Sequence, residues 1–381
     1  MSNSKKNIRI YSALLTCIFI VSIIFISCVN ALKKDSLISE QENRKLQQRP
    51  KFSLESFISG DFTSSYTKYL SDQFIGRDFF ISLKSRLEIF EGKTESNGVF
   101  IGKGHYLIED FEKTDEDVTE EKINAINKFA QDNKSIKMSF LLSPTATSIW
   151  SDKLPKYAPV DSQREYMDSV KSELDDNVKF IDVYDEFIKN KNKDLYYKTD
   201  HHWTTDGAFI AYKKMCEDLS IEAKDEDYYE KMCATDNFYG SLYSKIGAKI
   251  GGPDSIYLYV PKEDDVVATY QDDEKKIASL YSNDSLDEKD KYQVFTKGNH
   301  TLINIKTLSE SKKNLLIIKD SYANSFLPFL TPHYANIDVV DLRYYTDNLE
   351  ELIKSDGITD VLFLYNVNTF NEDSSILNLQ Q

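Results

Sequence analysis

Cysteine, glycine, proline and histidine are all scarce in this chain, and positive charge is not in excess. Four cysteines in 381 residues make no disulfide framework, and Cys17 and Cys28 fall inside an apolar N-terminal stretch. Cys216 and Cys233 remain, without the spacing of a structural zinc site. Thirteen glycines and eight prolines are too few for a linker-rich chain, while 41% hydrophobic and 13% aromatic residues exclude a disordered composition. A formal net charge of -15 repels nucleic-acid phosphates, and no Lys/Arg stripe interleaved with aromatics offsets it, so nucleic acid is set aside as a partner. The length admits one large domain of about 250 to 300 residues, or two smaller ones.

What is present begins with Ile10–Leu32, almost uninterrupted apolar or small residues and about the 20 needed to span a bilayer. Lys5, Lys6 and Arg9 precede it, which favours a cytoplasmic N-terminus, although Lys33 and Lys34 follow it. An uncleaved anchor over residues 1–34 is favoured over a signal peptide. Phe25-Ile26-Ser27-Cys28 only loosely matches a lipobox, because Phe25 fits poorly and the apolar run continues past Cys28. The expectation is a single-pass membrane protein with its remaining residues extracytoplasmic.

Residues 35–95 are polar and helix-prone, with Phe57, Phe62, Tyr66, Tyr69, Leu70, Phe74 and Phe79 as an irregular apolar stripe, and are expected to pack on the main domain. Residues 96–381 open with β-prone runs and turn residues at Asn97–Gly104 and then alternate strands and helices. Helices are expected over Glu120–Asn133 and Asp161–Asp175, and strands over Ile136–Leu142, Val178–Val183, Leu315–Ile318, Ile337–Val340 and Val361–Leu364. Asp347 and Glu350 suggest a capping box for a helix that Gly357 can end. This pattern gives an α/β fold with a mostly parallel sheet flanked by helices, whose sites form at the carboxyl ends of strands. The acidic, tyrosine-rich stretch 224–312, with short β-like runs at Ile256–Val260 and Gln293–Thr296, reads as an insertion. Glu263-Asp264-Asp265 and Asp272-Asp273-Glu274 within it read as solvated loops.

Two of only five histidines stand side by side in Asp200-His201-His202-Trp203. In an extended segment Asp200 and His202 project to one side and His201 to the other, so the carboxylate can fix the His202 tautomer and stabilise its imidazolium. Thr204 or Thr205 can then cap a helix whose Phe209, Tyr212, Cys216 and Leu219 share one face. Ser321 follows the apolar strand Leu315–Ile318, where a helix N-terminus and backbone N–H groups can stabilise an oxyanion. Read alone, Ser321 is a helix cap; beside Asp200 and His202 it is a candidate nucleophile. Metal is disfavoured, because adjacent histidines diverge and no His-Glu-x-x-His pattern occurs. His105, His300 and His333 lack telling partners, and His201 reads as structural. No cofactor is expected.

The chain resembles the DHHW protein family, named for the tetrapeptide found here at Asp200–Trp203. Further resemblance lies in Glu42-Asn43-Arg44, Asp72–Asp78, Asn97–Gly102, Ser143-Pro144-Thr145 and Lys319–Ser325. The family is similar to alginate-type SGNH-hydrolase-like O-acetyltransferases, and this resemblance implies a circularly permuted SGNH-like domain, with Asp200 orienting, His202 as base and Ser321 as nucleophile. It departs from the usual pattern in placing Lys319 where glycine precedes Asp-Ser, and in spacing acid and base two apart. Gly240 and Asn366 are candidates for an oxyanion hole, Arg343 for a substrate contact, and Trp203 with some tyrosines for a sugar platform. The implied activity is acetyl transfer to an exopolysaccharide or cell-wall glycan, with a multi-pass membrane O-acyltransferase as partner. A carbohydrate acetyl esterase and a catalytically silent glycan-binding component remain open alternatives.

Overall fold

Apolar residues without a charge among them form a helix wherever backbone groups must bond to one another, and Ile10–Leu32 does so within α1, Ser2–Leu32, whose first turns carry Lys5, Lys6 and Arg9. A computed structural model describes residues 2–39, 44–262, 266–272 and 275–380 of the chain. Within α1, Ile10–Leu32 has exposed side chains, and among the described residues α1 is the one helix long and apolar enough to cross a membrane. Glu42 and Asn43 of the first expected motif lie outside the described residues, as do Glu263, Asp264, Asp265, Asp273 and Glu274.

The chain divides into two compact units, Met1–Glu91 and Gly92–Gln381. The first also contains α2 (Leu54–Ser59), α3 (Asp61–Asp72) and α4 (Arg77–Phe90). Ser53 caps α2 by accepting the Ser56 N–H, and Gly60 links α2 to α3 at φ 90°, a conformation that favours glycine. Of the expected apolar stripe, Phe62 stacks on Tyr66 along α3 and Tyr66 meets Tyr69 at a tilt, whereas Phe57, Leu70 and Phe79 are exposed.

The second unit is built on an eight-stranded sheet. In chain order its strands are β1 (Lys137–Ser143), β2 (Val178–Ile181), β3 (Val266–Tyr270), β4 (Lys275–Ile277), β5 (Leu302–Thr307), β6 (Asn314–Lys319), β7 (Asn336–Val340) and β8 (Asp360–Asn366). The spatial order is β4-β3-β5-β7-β6-β8-β1-β2. From β7 to β2 the strands are parallel, while β5, β3 and β4 continue the sheet antiparallel. The stretch 224–312 is therefore no detached insertion: it supplies three strands of the sheet, along with the hairpin of Tyr229–Phe238 and Asp254–Pro261. Gln293–Thr296 is not a strand but overlaps a 3-10 turn, Lys291–Val294, with Phe295 bridged to Tyr281.

Both faces of the central strands are apolar, which is why those runs read as continuous. Leu315 and Ile317 of β6 pack on one side with Phe209, Tyr212 and Cys216 of α7 (Thr205–Asp218). Leu316 and Ile318 pack on the other with Ile123, Ile126 and Phe129 of α5 (Glu116–Asp132), and with Tyr166, Met167 and Val170 of α6 (Gln163–Glu173). Asn348, not Asp347, caps α8 (Leu349–Ser355), its side chain accepting the Glu351 N–H.

One charged side chain closes this second layer. Lys122 of α5 is fully buried and donates to the carbonyls of Phe370 and Asn371 at 2.8 and 2.7 Å; burial lowers its pKa against the pull of Asp373 and Glu372. Lys122→Met keeps the apolar stem but leaves both carbonyls without the ammonium, so stability should fall by about 2 kcal/mol or more. Urea unfolding checks this, and an unchanged midpoint would contradict it.

Candidate active site

The carboxyl ends of β1, β6, β7 and β8 carry Pro144-Thr145, Asp320-Ser321, Asp341 and Asn366 to one edge of the sheet. Opposite Ser321 stands the loop between Tyr196 and Trp203, pinched at its base by a bridge between those two residues. Its Asp200-His202 pair meets, although not through an extended strand. The chain bends so that the His202 N–H donates to Asp200 Oδ1 at 2.9 Å, an Asx-type turn that brings the imidazole of residue i+2 to the same oxygen.

His202 Nδ1 lies 2.5 Å from Asp200 Oδ1, and His202 Nε2 lies 2.8 Å from Ser321 Oγ. With Asp200 ionised, Nδ1 carries the proton and donates to the carboxylate, which leaves Nε2 to accept from the Ser321 hydroxyl. Asp200 Oδ2 accepts the Ser241 N–H at 2.7 Å. Burial by itself would raise the Asp200 pKa, but His202, His201 and these hydrogen bonds outweigh it and hold the carboxyl well below its usual range. For His202, burial comes first and lowers the pKa to about 4, with His201 adding to the fall and Asp200 opposing it. The resting pair is thus a carboxylate beside a neutral imidazole, a combination able to take a proton from Ser321.

The His202 ring is held from both faces. Tyr292 stacks on one, at 3.7 Å between centroids and 9° between planes, and His201 lies on the other at 3.9 Å. The expectation that His201 faces away is corrected: the bend folds it back over His202, and its Nδ1 lies 2.7 Å from Ser241 Oγ. Tyr292 sits in the stretch read as an insertion, where no periodicity marks it. Asp200, His201 and His202 also form the one group of possible metal ligands among the described residues, but both His202 nitrogens are already hydrogen-bonded.

Ser321 begins a five-residue 3-10 turn, Ser321–Ser325, and Asp320 is its cap, accepting the Tyr322 N–H. So short a turn lacks the dipole of a full helix, and the capping role considered for Ser321 belongs to its neighbour. Asn366 donates both its backbone and its side-chain N–H to Asp320 Oδ2, at 2.8 and 2.7 Å. It therefore steadies the turn instead of facing an oxyanion. Gly240 is also corrected: its N–H donates to Thr199 Oγ1, and it packs against Asp200.

Trp203 is no sugar platform. It is wholly buried, and its Nε1 donates to the Tyr322 carbonyl and to Ser325 Oγ at 3.0 Å each, tying the histidine loop to the serine turn. Arg343 is bound to Asp341 through Nε and Nη2, at 2.8 and 2.6 Å, with part of its side chain exposed. Lys319 points into the interior, donating to Asn299 and Asn324 and lying 3.6 Å from Asp341.

The profile of the family described as DHHW protein matches residues 42–105 and 91–340. Among solved structures, the chain is similar to a DHHW family protein from Eubacterium siraeum DSM 15702, at 26% identity and a TM-score of 0.65, over 75% of this chain and 96% of that one. It is also similar to Bacillus cereus PatB1. With a sulfonyl adduct that structure gives 22% identity, a TM-score of 0.62, and 73% and 97% coverage of the two chains. Without it the figures are 23%, 0.62, 73% and 98%. No curated protein matches the chain.

A Cβ added at Gly240 would stand 2.2 Å from Asp200 Cβ, although the φ of -82° suits any residue. Space, not backbone conformation, demands glycine there. Gly240→Ala should displace Asp200 and lower stability by about 2 kcal/mol, read as a fall in Tm. A variant that melts like the parent would show that the loop yields without cost.

Proposed function

The chain belongs to the DHHW protein family, and from that premise we propose that it is an extracytoplasmic serine acyltransferase carrying acetyl groups to hydroxyls of a polysaccharide or cell-wall glycan. The continuous run of contacts from Asp200 through His202 to Ser321 carries this reading. Each group has one role. Ser321 Oγ attacks the donor carbonyl while its proton passes to His202 Nε2, and Asp200 stabilises the imidazolium. The tetrahedral intermediate expels the donor's alcohol or thiol, which takes the proton from His202. An acceptor hydroxyl then attacks the acyl-serine, giving its proton to Nε2, and collapse returns the proton to Ser321 as the new ester leaves.

The Ser321 N–H has no hydrogen-bond acceptor among the described residues, so it is available to an oxyanion forming at the carbonyl. Arg343, partly exposed at the end of β7, is proposed as a glycan contact. Ile10–Leu32 would anchor the chain, with a multi-pass membrane O-acyltransferase delivering acyl groups from the other side. Hydrolysis by water is the same chemistry with a different acceptor.

The nucleophile is tested with 4-nitrophenyl acetate. Mass spectrometry of the quenched parent should place an acetyl group on Ser321, and Ser321→Ala should lower turnover about a thousandfold or more while melting normally. Equal acetylation of a folded Ser321→Ala protein would refute the assignment. Added oligosaccharide should divert acetyl groups from water to sugar.

The protonation state gives a second test. The base must be neutral, and burial lowers its pKa from 6.5 to about 4, so the imidazole still accepts a proton well below pH 6.5. The acid limb of kcat/KM should therefore have its midpoint below 6.5 and towards 4. A midpoint above 6.5 would mean that the site binds the imidazolium instead.

A further inference from the structure

The helix α4 exposes the side that a water-facing helix would hide. At 100° per residue, Phe79, Phe80, Leu83, Leu87 and Phe90 share one arc of about 100°, and each is between 41% and 88% exposed. The opposite side holds buried Ser85 and half-buried Ile81 and Ile89. Lys84 and Arg86, both exposed, border the apolar arc on its two sides. An apolar stripe edged by basic side chains is the pattern of a helix lying in a membrane surface, where the stripe enters the acyl boundary and the cations reach anionic headgroups.

The attachment of α4 says which surface. The Ile75 N–H donates to Asn30 Oδ1 at 2.8 Å, and Lys33 Nζ donates to the Gln73 carbonyl at 3.4 Å. The Gln73 side chain accepts the Ser36 N–H and donates to the Ser36 carbonyl, both at 2.9 Å. Asn30, Lys33 and Ser36 stand at the outer end of Ile10–Leu32, so the turn before α4 is fastened where that segment would leave the hydrocarbon. Charge permits this approach. Residues 33–91 carry 10 Lys and Arg against 9 Asp and Glu, in a chain whose net charge is -15.

We infer that α4 lies in the surface of the bilayer that α1 enters, with Phe79, Phe80, Leu83, Leu87 and Phe90 seated at the boundary of headgroups and acyl chains. This inference rests on the reading of α1 as an anchor, and the test separates the two.

The only tryptophans, Trp150 and Trp203, are buried, so they give a background that lipid does not reach. Full-length Leu83→Trp and Leu87→Trp proteins are reconstituted into phosphatidylcholine and phosphatidylglycerol vesicles whose acyl chains are brominated close to the headgroup. Phe19→Trp reports the anchor, using bromines deep in the chain, and Asp78→Trp reports the other side of α4. Emission at positions 83 and 87 should be quenched about twofold or more beyond the parent, and emission at 78 should not. If position 19 is quenched while 83 and 87 match the parent, the apolar stripe faces something other than lipid and the inference fails with the anchor intact. If none of the three is quenched, anchor and inference fall together. Equal quenching at 78, 83 and 87 would overturn the assignment of the face.

Discussion

An ionised carboxylate buried at Asp200 is the constraint on which the rest of the loop depends. A charge without water is tolerated only where donors surround it. Three do so here: the backbone N–H and Nδ1–H of His202 on one oxygen, and the Ser241 N–H on the other. The first two come from a residue two positions on, which requires the bend. The third requires the chain at 240–241 to come against Asp200, which leaves no room for a side chain at residue 240. Asp254 repeats the arrangement one step back, accepting the Lys198 and Thr199 N–H groups and the Thr199 hydroxyl.

The serine side is built on a second buried carboxylate. Asp320 receives the Tyr322 N–H on one oxygen and two Asn366 donors on the other, so the end of β8 fixes the turn after β6. Trp203 and Tyr292 then join the halves through Ser325, Trp203 by its indole N–H and Tyr292 by its hydroxyl at 3.1 Å. The His202 to Ser321 distance is thus held by a packed aromatic and hydrogen-bonded support on both sides.

Lys319 belongs to the same support. Its ammonium is fully buried, and burial lowers its pKa to about 8 while Asp341 opposes the fall. By reaching Asn299 and Asn324 it ties the segment before β5 to the serine turn, and Arg343 shares Asp341 with it. Where the related motif has a glycine, this chain has a side chain whose ammonium is buried in the interior.

Some of this was legible without a structure. Hydrophobic period gives the central strands and α5, because strands covered on both faces read as continuous apolar runs and an amphipathic helix repeats every three to four residues. The two-residue spacing of Asp200 and His202 and the position of Ser321 after an apolar strand mark residues of the right chemistry, although Asp200 and His202 meet through a bend, not the extended segment that the spacing suggests. Tertiary structure decided the rest. Burial of Trp203, the contact of Gly240 with Asp200, the stacking of Tyr292 on His202 and the orientation of Asn366 each join segments far apart in sequence. No local preference encodes such meetings. The β-like run at Ile256–Val260 was legible and falls within the strand Asp254–Pro261, whereas Val266–Tyr270, Lys275–Ile277 and Leu302–Thr307 were hidden, because their place in the sheet depends on pairing with strands that local sequence does not specify.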